Sequence, residues 1–304
     1  MYFVRRLIFA VPLLLVISAL AFGLIRIAPG SPFDSERAPA TPEIERNIEA
    51  KYHWNDPIWK QYLDYLDGLI HGDFGVSTKY RDRSVSGIIL QGLPVSATLG
   101  ILAFGFAMGV GLPLGFFTAA RRGRWEDFTG SFLAIVAVCI PGFVVAPILI
   151  LLFSIKWRLF PVGLWESPWH TVLPMISLGL LFAGRVARLM REGMLNAIQS
   201  EFVVAARAKG LSENRLLLKH VVRIALLPVV SYSGPMLADL LTGSFVVESI
   251  FQIPGIGVFF VNSALNLDAM LLVGLSLLYA IILVGMNLFV DLAYTWLDPR
   301  VKYD

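Results

Sequence analysis

The sequence has little charge and almost no cysteine. Only 15% of its 304 residues are Asp, Glu, Lys or Arg, whereas soluble domains carry about 25%. Its single cysteine, Cys139, excludes an internal disulfide. Hydrophobic residues make up 57% of the chain and the mean hydropathy is +0.71, so it lacks the polar surface that a water-soluble fold needs. The 21 Phe, 9 Tyr and 7 Trp are too many for a disordered chain. The composition therefore predicts an integral membrane protein.

The sequence also lacks the motifs of several common protein classes. It has no G-x-x-x-x-G-K-[ST] loop for a nucleotide, no H-E-x-x-H pair for zinc and no G-x-S-x-G turn for a nucleophilic serine. The histidines are scattered, which disfavours a zinc site; they are His53, His71, His170 and His220. Basic residues lie at the ends of apolar runs, so no nucleic acid is expected as a partner. We predict no catalytic, cofactor or metal site in this chain, and interpret Cys139 as a packing residue.

Long apolar runs are abundant. A helix crosses the hydrocarbon core with about 20 mostly apolar residues, and six stretches meet or approach that length: 7–28, 94–119, 128–155, 172–190, 224–247 and 270–290. The first follows Arg5 and Arg6 but lacks an A-x-A cleavage pattern, so an uncleaved span is favoured over a signal peptide. In the fourth, the uncharged part ends at Gly184. Arg185 and Arg188 follow one helical turn apart, and they can reach the lipid headgroups if they mark the helix end.

The basic residues of the short loops fall mainly on one side of these spans. On that side are Arg5, Arg6, Arg121, Arg122, Arg124, Arg185, Arg188, Arg191, Arg207, Lys209, Arg215, Lys219, Arg223, Arg300 and Lys302. On the other side, the loop after the third span has only Lys156 and Arg158. Because cytoplasmic loops are enriched in Lys and Arg, both termini and the loop after the fourth span are predicted to lie in the cytoplasm.

The segment between the first two spans, residues 29–93, is too long for a structureless connection. Thr41-Pro42 and Asp56-Pro57 each pair a capping side chain with a first-turn proline, so two short external helices are predicted. The second helix carries an apolar stripe made of Ile58, Tyr62, Tyr65, Leu66 and Leu69. Amphipathic stripes usually pack against other helices. A cap on the ends of the spans is therefore favoured over a docking surface for an external partner.

The loop after the fourth span, residues 196–223, is predicted to begin with a short helix. Ser200 is placed to cap this helix, and Glu201 opens its first turn favourably for the helix dipole. Lys209 lies at the C-terminal end, where Gly210 can adopt the left-handed conformation that stops a helix. The sequence therefore predicts a helix with defined start and stop positions.

The surface of this helix suggests a partner without deciding the question. Phe202 is bulky and apolar, whereas Ala205, Ala206 and Ala208 are small. Such a surface suits insertion into a groove of another protein, and packing flat on the chain's own spans is an equal alternative. A second helix is expected over residues 212–223, leading into the fifth span.

One acidic residue, Asp239, lies deep within an apolar span. A carboxylate there is costly and normally faces a cavity or a partner. Ser233 and Thr242 lie nearby in the sequence. We therefore hypothesise that Asp239 faces a pathway or a partner protein, and a locally hydrogen-bonded structural role is equally open.

Small residues and prolines recur within the spans. The second span has two pairs of glycines at four-residue spacing, which lets helices approach closely and favours static packing over a sliding contact; they are Gly105 with Gly109 and Gly111 with Gly115. Prolines can kink a helix, and the candidates are Pro113, Pro141, Pro147, Pro174, Pro228 and Pro235.

Several motifs together resemble a known family. Residues 205–212, AARAKGLS, followed by His220, Arg223 and Pro228, are similar to the EAA loop of ABC-importer inner-membrane permeases, in the form of the peptide-importer branch. Other segments similar to this branch occur in order along the chain at residues 5–7, 29–32, 72–75, 93–94, 247–257 and 298–300. Residues 29–33 and 48–53 resemble the oligopeptide importers in particular.

The resemblance implies an all-α integral membrane protein with the six-helix fold of type I ABC-importer permeases, as a single domain over residues 1–304. It implies a second homologous permease, two cytoplasmic ATPase subunits that hold ATP and Mg, and an extracytoplasmic protein that delivers a peptide. Residues 201–209 would be the coupling helix, with contacts at Glu201, Phe202, Ala205, Ala206, Lys209 and Gly210. The pathway would involve Asp239, Ser233, Thr242 and Glu248, the last as part of a gate.

The resemblance also implies a location and a cargo. The location is the bacterial inner membrane, and the expected cargo is an oligopeptide, with dipeptide, glutathione and nickel importers as alternatives. A self-sufficient secondary transporter is disfavoured because such proteins usually show internal repeats with coupled ionisable residues in the membrane. An intramembrane enzyme is disfavoured because the nucleophile and metal motifs are missing.

Overall fold

The computed structural model describes residues 11–20, 22–23, 56–77, 79–80, 83–266 and 268–297. In these ranges the chain is helical apart from turns, loops and one isolated bridge between Val76 and Ser84. Several predictions lie outside the described residues: both ends of the first span, the first short external helix and the motif at residues 298–300.

The helices follow one another along the chain. The first are α1 (Val11–Leu20), α2 (Ile58–Ile70), α3 (Val85–Ala120), α4 (Trp125–Cys139) and α5 (Gly142–Lys156, a π-helix from Ile150). A 3₁₀ turn then leads to α6 (Val172–Ile198), which is followed by α7 (Glu201–Ala208) and α8 (Glu213–Ala225). The last are α9 (Leu227–Leu241), α10 (Phe245–Ile250), α11 (Ile256–Leu265) and α12 (Ala269–Leu297).

Among the residues that the structure describes, three helical stretches are long and apolar enough to cross a membrane by themselves: α3, Pro168–Ile198 and Met270–Leu292. Two bent pairs raise the number to five if each pair is one span: α4 with α5, and α8 with Leu227–Ile250. These match five of the six predicted spans in position. Of the first predicted span, the structure describes the short apolar helix α1 and residues 22–23.

The third and fifth predicted spans are broken helices rather than straight ones. Between α4 and α5 the chain bends by 101°, and Pro141 follows the extended residue Ile140 at this point. Proline has no backbone N–H and disfavours a helical residue before it, so the break has a local cause. The bend of 47° after α8 falls directly before Pro228, which occupies the first turn of α9.

The fourth span continues well beyond its predicted end. Helix α6 runs without interruption to Ile198, so Arg185 and Arg188 lie in the middle of a helix and not at its end. No glycine or proline breaker follows them closely, and arginine is a good helix former. The prediction that these arginines mark a helix terminus is wrong.

Helices α3 and α6 pack closely through small residues. A Cβ atom added at Gly111 would lie 2.6 Å from the carbonyl oxygen of Ala183, and one added at Gly115 would collide with Ala187. The close-packing prediction is confirmed for this pair of glycines. At Gly105 and Gly109, an added Cβ would have no atom within 4 Å, so this pair of glycines makes no close helix contact within the described chain.

Helix α2 packs on the chain's own helices, as the favoured interpretation of its stripe requires. Tyr65 is buried beside Phe22, with ring centroids 6.0 Å apart, and this burial raises the pKa of its phenol. The hydroxyl of Tyr62 donates to the carbonyl of Leu15 at 3.0 Å. Ile58 departs from the predicted stripe, since it is 57% exposed.

Candidate functional site

Helix α7 is attached to the bundle by one face only. Val203 is completely buried against the core formed with α6 and α8, and Ala206, one turn later, packs partly against the same core. Phe202 and Val204 are 38% and 62% exposed. Two of the three bulky apolar side chains of this short helix are therefore largely open to the surroundings.

The two ends of α7 differ in how well they follow the prediction. Ser200 is the N-cap residue, but its hydroxyl donates to the carbonyl of Ala197 at 2.5 Å and does not accept from α7. The predicted stop is confirmed, because Gly210 has φ of 79°. Its N–H donates to Arg207, and the N–H of Leu211 donates to Ala206, which is the hydrogen-bond pattern of a Schellman motif.

Helix α7 is joined to α8 by an ion pair. The guanidinium of Arg207 donates from Nε to Glu213 Oε1 at 2.6 Å and from Nη2 to Oε2 at 3.2 Å. The hydrogen bond to the carboxylate raises the pKa of Arg207. Both side chains are largely exposed, so the pair adds little stability. Its bidentate geometry fixes the direction of α7 relative to the start of α8.

A second ion pair at the same end of the bundle was not foreseen from the sequence. Arg191 on α6 donates from Nε to Asp127 Oδ1 at 2.8 Å and from Nη2 to Oδ2 at 3.1 Å. Asp127 also accepts from the N–H of Gly123 at 3.0 Å. The turn between α3 and α4 is thereby tied to the part of α6 that leads into α7. The available signal was an acid at the start of an apolar run directly after an arginine-rich turn.

A cavity of about 500 Å³ lies between α6, the end of α9 and the helices that follow it. Its walls include Phe182, Asp239, Thr242, Phe245, Phe260 and Tyr279. Most of these side chains are apolar, with a few polar groups among them. This is the usual composition of a pocket that binds an organic molecule.

Two of the four predicted pathway residues lie at this cavity. Asp239 accepts a hydrogen bond from the hydroxyl of Tyr279 at 2.8 Å. Thr242 also lines the cavity, and its hydroxyl donates to the carbonyl of Ala238 at 2.9 Å. Ser233 is not part of these walls, because it is buried and donates to Val230 on its own helix.

Glu248, the fourth predicted pathway residue, is completely buried rather than placed at an opening. Its Oε1 accepts from Ser96 at 2.7 Å, and the same hydroxyl accepts from the N–H of Ile256 at 2.8 Å. A Cβ atom added at Gly255 would lie 2.5 Å from Glu248 Oε2. The carboxylate therefore joins α3, α10 and the start of α11, in a space that glycine leaves free.

Arg185 is a further polar residue near the cavity. Its Nη1 donates to the hydroxyl of Tyr232 at 3.0 Å, and its guanidinium carbon lies 5.9 Å from the ring centroid of Phe182. Sequence reasoning missed this placement because Arg185 was expected at a helix end. The available signal was its spacing of three residues from Phe182, which puts both on one helix face.

The helical architecture belongs to a known class of membrane protein. The sequence profile described as "Binding-protein-dependent transport system inner membrane component" matches residues 111–303, and its N-terminal companion profile matches residues 1–99. The chain is therefore a member of this family of transport-system inner membrane components.

Several curated relatives are similar over almost the whole chain. The oligopeptide transport system permease protein OppB of Haemophilus influenzae is 44% identical, with 98% of each chain covered. OppB of Escherichia coli K12 is 43% identical with 99% of each covered. The dipeptide transport system permease protein DppB of Bacillus subtilis is 40% identical, covering 99% of this chain and 97% of the relative.

A solved structure supports the fold. The inward-facing MetNI methionine ABC transporter matches with a TM-score of 0.55 and 16% identity, covering 69% of this chain and 96% of that one. At this identity the match concerns the fold alone, and it agrees with the expected architecture of an ABC-importer permease.

Proposed function

We propose that this chain is the permease subunit of an ATP-driven importer that moves peptides into the cytoplasm. It forms half of the transmembrane pathway, and a second homologous permease forms the other half. The observation that carries the proposal is a short helix with exposed apolar side chains, α7, in a chain that resembles OppB and DppB over nearly its full length. A helix of this kind is suited to a groove in a motor subunit.

In this proposal the chain has six spans in a bacterial inner membrane, with both termini in the cytoplasm. The end of the bundle that carries α7 also carries Arg121, Arg122 and Arg124, in the turn between α3 and α4. A concentration of basic residues is typical of the cytoplasmic side. Residues 29–93 then belong to the external side, and 196–223 form the cytoplasmic coupling loop of a single domain.

Two cytoplasmic ATPase subunits bind ATP and Mg in this assembly, and one of them receives α7. The exposed side chains Glu201, Phe202, Ala205 and Lys209 are proposed to contact it. Ala206 supports the same surface from behind, and Gly210 sets the end of the helix. The pairs Arg207–Glu213 and Arg191–Asp127 pass movement of α7 on to α8 and α6, because bidentate pairs resist rotation.

The cavity beside Asp239 and Thr242 is proposed as part of the pathway. An extracytoplasmic binding protein delivers the peptide to it, and closure of the ATPases on ATP changes the side to which the cavity opens. Ser233 and Glu248 then support the pathway from inside the packed helices. We propose oligopeptides as the cargo, with dipeptides as the first alternative, since OppB and DppB relatives are similarly close in sequence.

The test is uptake by the complete assembly. The chain is purified with its second permease and ATPases, reconstituted in vesicles and supplied with the binding protein and radiolabelled peptide. Uptake is expected only with hydrolysable ATP. Competition by di-, tri- and longer peptides then ranks the cargoes, and glutathione and nickel serve as the outlying competitors. Uptake by this chain alone under an ion gradient would show a secondary transporter and overturn the proposal.

A further inference from the structure

Two charged residues inside long helices each have a neutral phenol as partner. Arg185 donates to Tyr232, and Asp239 accepts from Tyr279. Arg185 stands at the midpoint of α6, about 20 Å from either end at 1.5 Å per residue. Within the described chain neither Arg185 nor Asp239 takes part in a salt bridge. Ionisable groups within membrane-spanning helices are costly and by default mark a functional site.

One pair lines the cavity, and the other lies beside it, since Arg185 and Tyr232 are not among the cavity walls. Asp239 and Tyr279 line the cavity, and so does Phe182, whose ring lies under the Arg185 guanidinium. Tyr232 and Asp239 are separated by seven residues of α9, which is about two turns, so they share a helix face. The Cα atoms of Tyr232 and Asp239 are therefore about 10 Å apart along α9, and Arg185 lies at the Tyr232 end.

The phenols orient the charges and leave further hydrogen-bonding positions for a ligand. Tyr279 occupies one oxygen of Asp239, and the carboxylate can accept additional donors through the other. Tyr232 occupies one terminal nitrogen of Arg185, which keeps the guanidinium edge formed by Nε and Nη2 for a bidentate contact. An anion such as a carboxylate fits that edge, and an ammonium group fits the carboxylate.

We propose that Asp239 binds the terminal ammonium group and Arg185 the terminal carboxylate of the transported peptide. This inference rests on the proposed function, because it identifies which part of a peptide the cavity recognises. The two termini are the charges that all unmodified linear peptides share, and the apolar wall near Phe182 and Phe260 accepts varied side chains. Three extended residues span about 10 Å, close to the rise of α9 between Tyr232 and Asp239, so a tripeptide is a suitable test ligand.

The test is a binding measurement on the detergent-solubilised complex of both permeases and ATPases, without the binding protein. Radiolabelled trialanine is displaced by unlabelled trialanine, N-acetyl-trialanine or trialanine amide. In the wild type, each blocked peptide is expected to compete about tenfold less well, the usual effect of losing a hydrogen bond to a charged group. Asp239→Asn removes the preference for a free amino terminus alone, and Arg185→Gln removes the preference for a free carboxylate alone.

Controls separate this inference from the proposed function and from misfolding. Arg188→Gln, an exposed arginine one turn from Arg185, is expected to keep both preferences. Tyr279→Phe keeps the Asp239 carboxylate but removes the hydroxyl that orients it, so the preference for a free amino terminus is expected to fall severalfold. This variant tests the inference even if Asp239→Asn fails to assemble. Absence of trialanine binding, or preferences that survive in the variants, would overturn the inference. ATP-dependent uptake by the wild-type assembly would still support the proposed function.

Discussion

At the scale of single residues, Gly210 defines where α7 ends. Its φ of 79° costs a residue with a side chain about 1–2 kcal/mol, and a β-branched residue is the least suited. An added Cβ would meet no atom within 4 Å, so the effect is confined to the backbone. We predict that Gly210→Val reduces ATP-dependent uptake and co-purification with the ATPases.

The matched control for this position is Gly210→Asn, because asparagine tolerates the left-handed conformation. Uptake close to the wild-type rate is expected for this variant. If Gly210→Val also assembles and transports normally, the helix stop has no part in coupling.

Glu248 illustrates a residue whose environment, and not its type, decides its role. A Cβ added at Gly255 would lie 2.5 Å from Glu248 Oε2 and from the Ser96 hydroxyl. We predict that Gly255→Ala destabilises the protein by about 1–3 kcal/mol through overpacking, measured as a lower Tm in detergent. Gly105→Ala, where an added Cβ meets nothing within 4 Å, is expected to raise or keep the Tm. Equal Tm changes in the two variants would contradict the enclosed position of the Glu248 carboxylate.

At the scale of elements, α7 separates a buried face from an exposed one. Changing Phe202 and Val204 together to serine leaves Val203 in the core, so the bundle is expected to fold. The double variant is predicted to lose ATPase co-purification, because a few well-packed residues carry most of an interface's binding energy and these are the exposed bulky apolar residues of α7. Ile70→Ser on α2, which removes an apolar side chain that is 83% exposed, serves as control and is expected to keep the ATPases. Unchanged co-purification of the double variant would contradict the coupling role of this face.

The elements also show how far sequence reasoning reaches. The stop of α7 at Gly210 followed from local chemistry alone, and the structure confirms it. The break at Pro141 was foreseeable as a kink, but its angle of 101° depends on how α5 packs against other helices. The enclosure of Glu248 and the approach of Arg185 to Tyr232 join distant parts of the chain. The periodicity of a sequence cannot predict such contacts, because it indicates which residues share a helix face and not which other helix that face contacts.

At the scale of the whole molecule, the proposed assembly requires one orientation in the membrane, with α7 towards the cytoplasmic ATPases and the opposite end towards the binding protein. The exposed Cys139 is the single native cysteine, so Cys139→Ser gives a background for labelling. In that background we predict that Glu166→Cys reacts with a membrane-impermeant maleimide in intact cells. This residue lies in the exposed connection between α5 and α6, at the end of the bundle opposite to α7.

The matching variant is Arg122→Cys in the exposed turn between α3 and α4, which is tied to α6 through Asp127 and Arg191. It is expected to react only after the membrane is permeabilised, because basic turns are retained in the cytoplasm. Both substitutions lie on exposed loop positions, so neither disturbs a packed helix. Labelling of Arg122→Cys but not Glu166→Cys in intact cells would show that the orientation in the membrane is the reverse of the predicted one. An ATPase could then not reach α7 from the cytoplasm, and the proposed mechanism would fail as a whole.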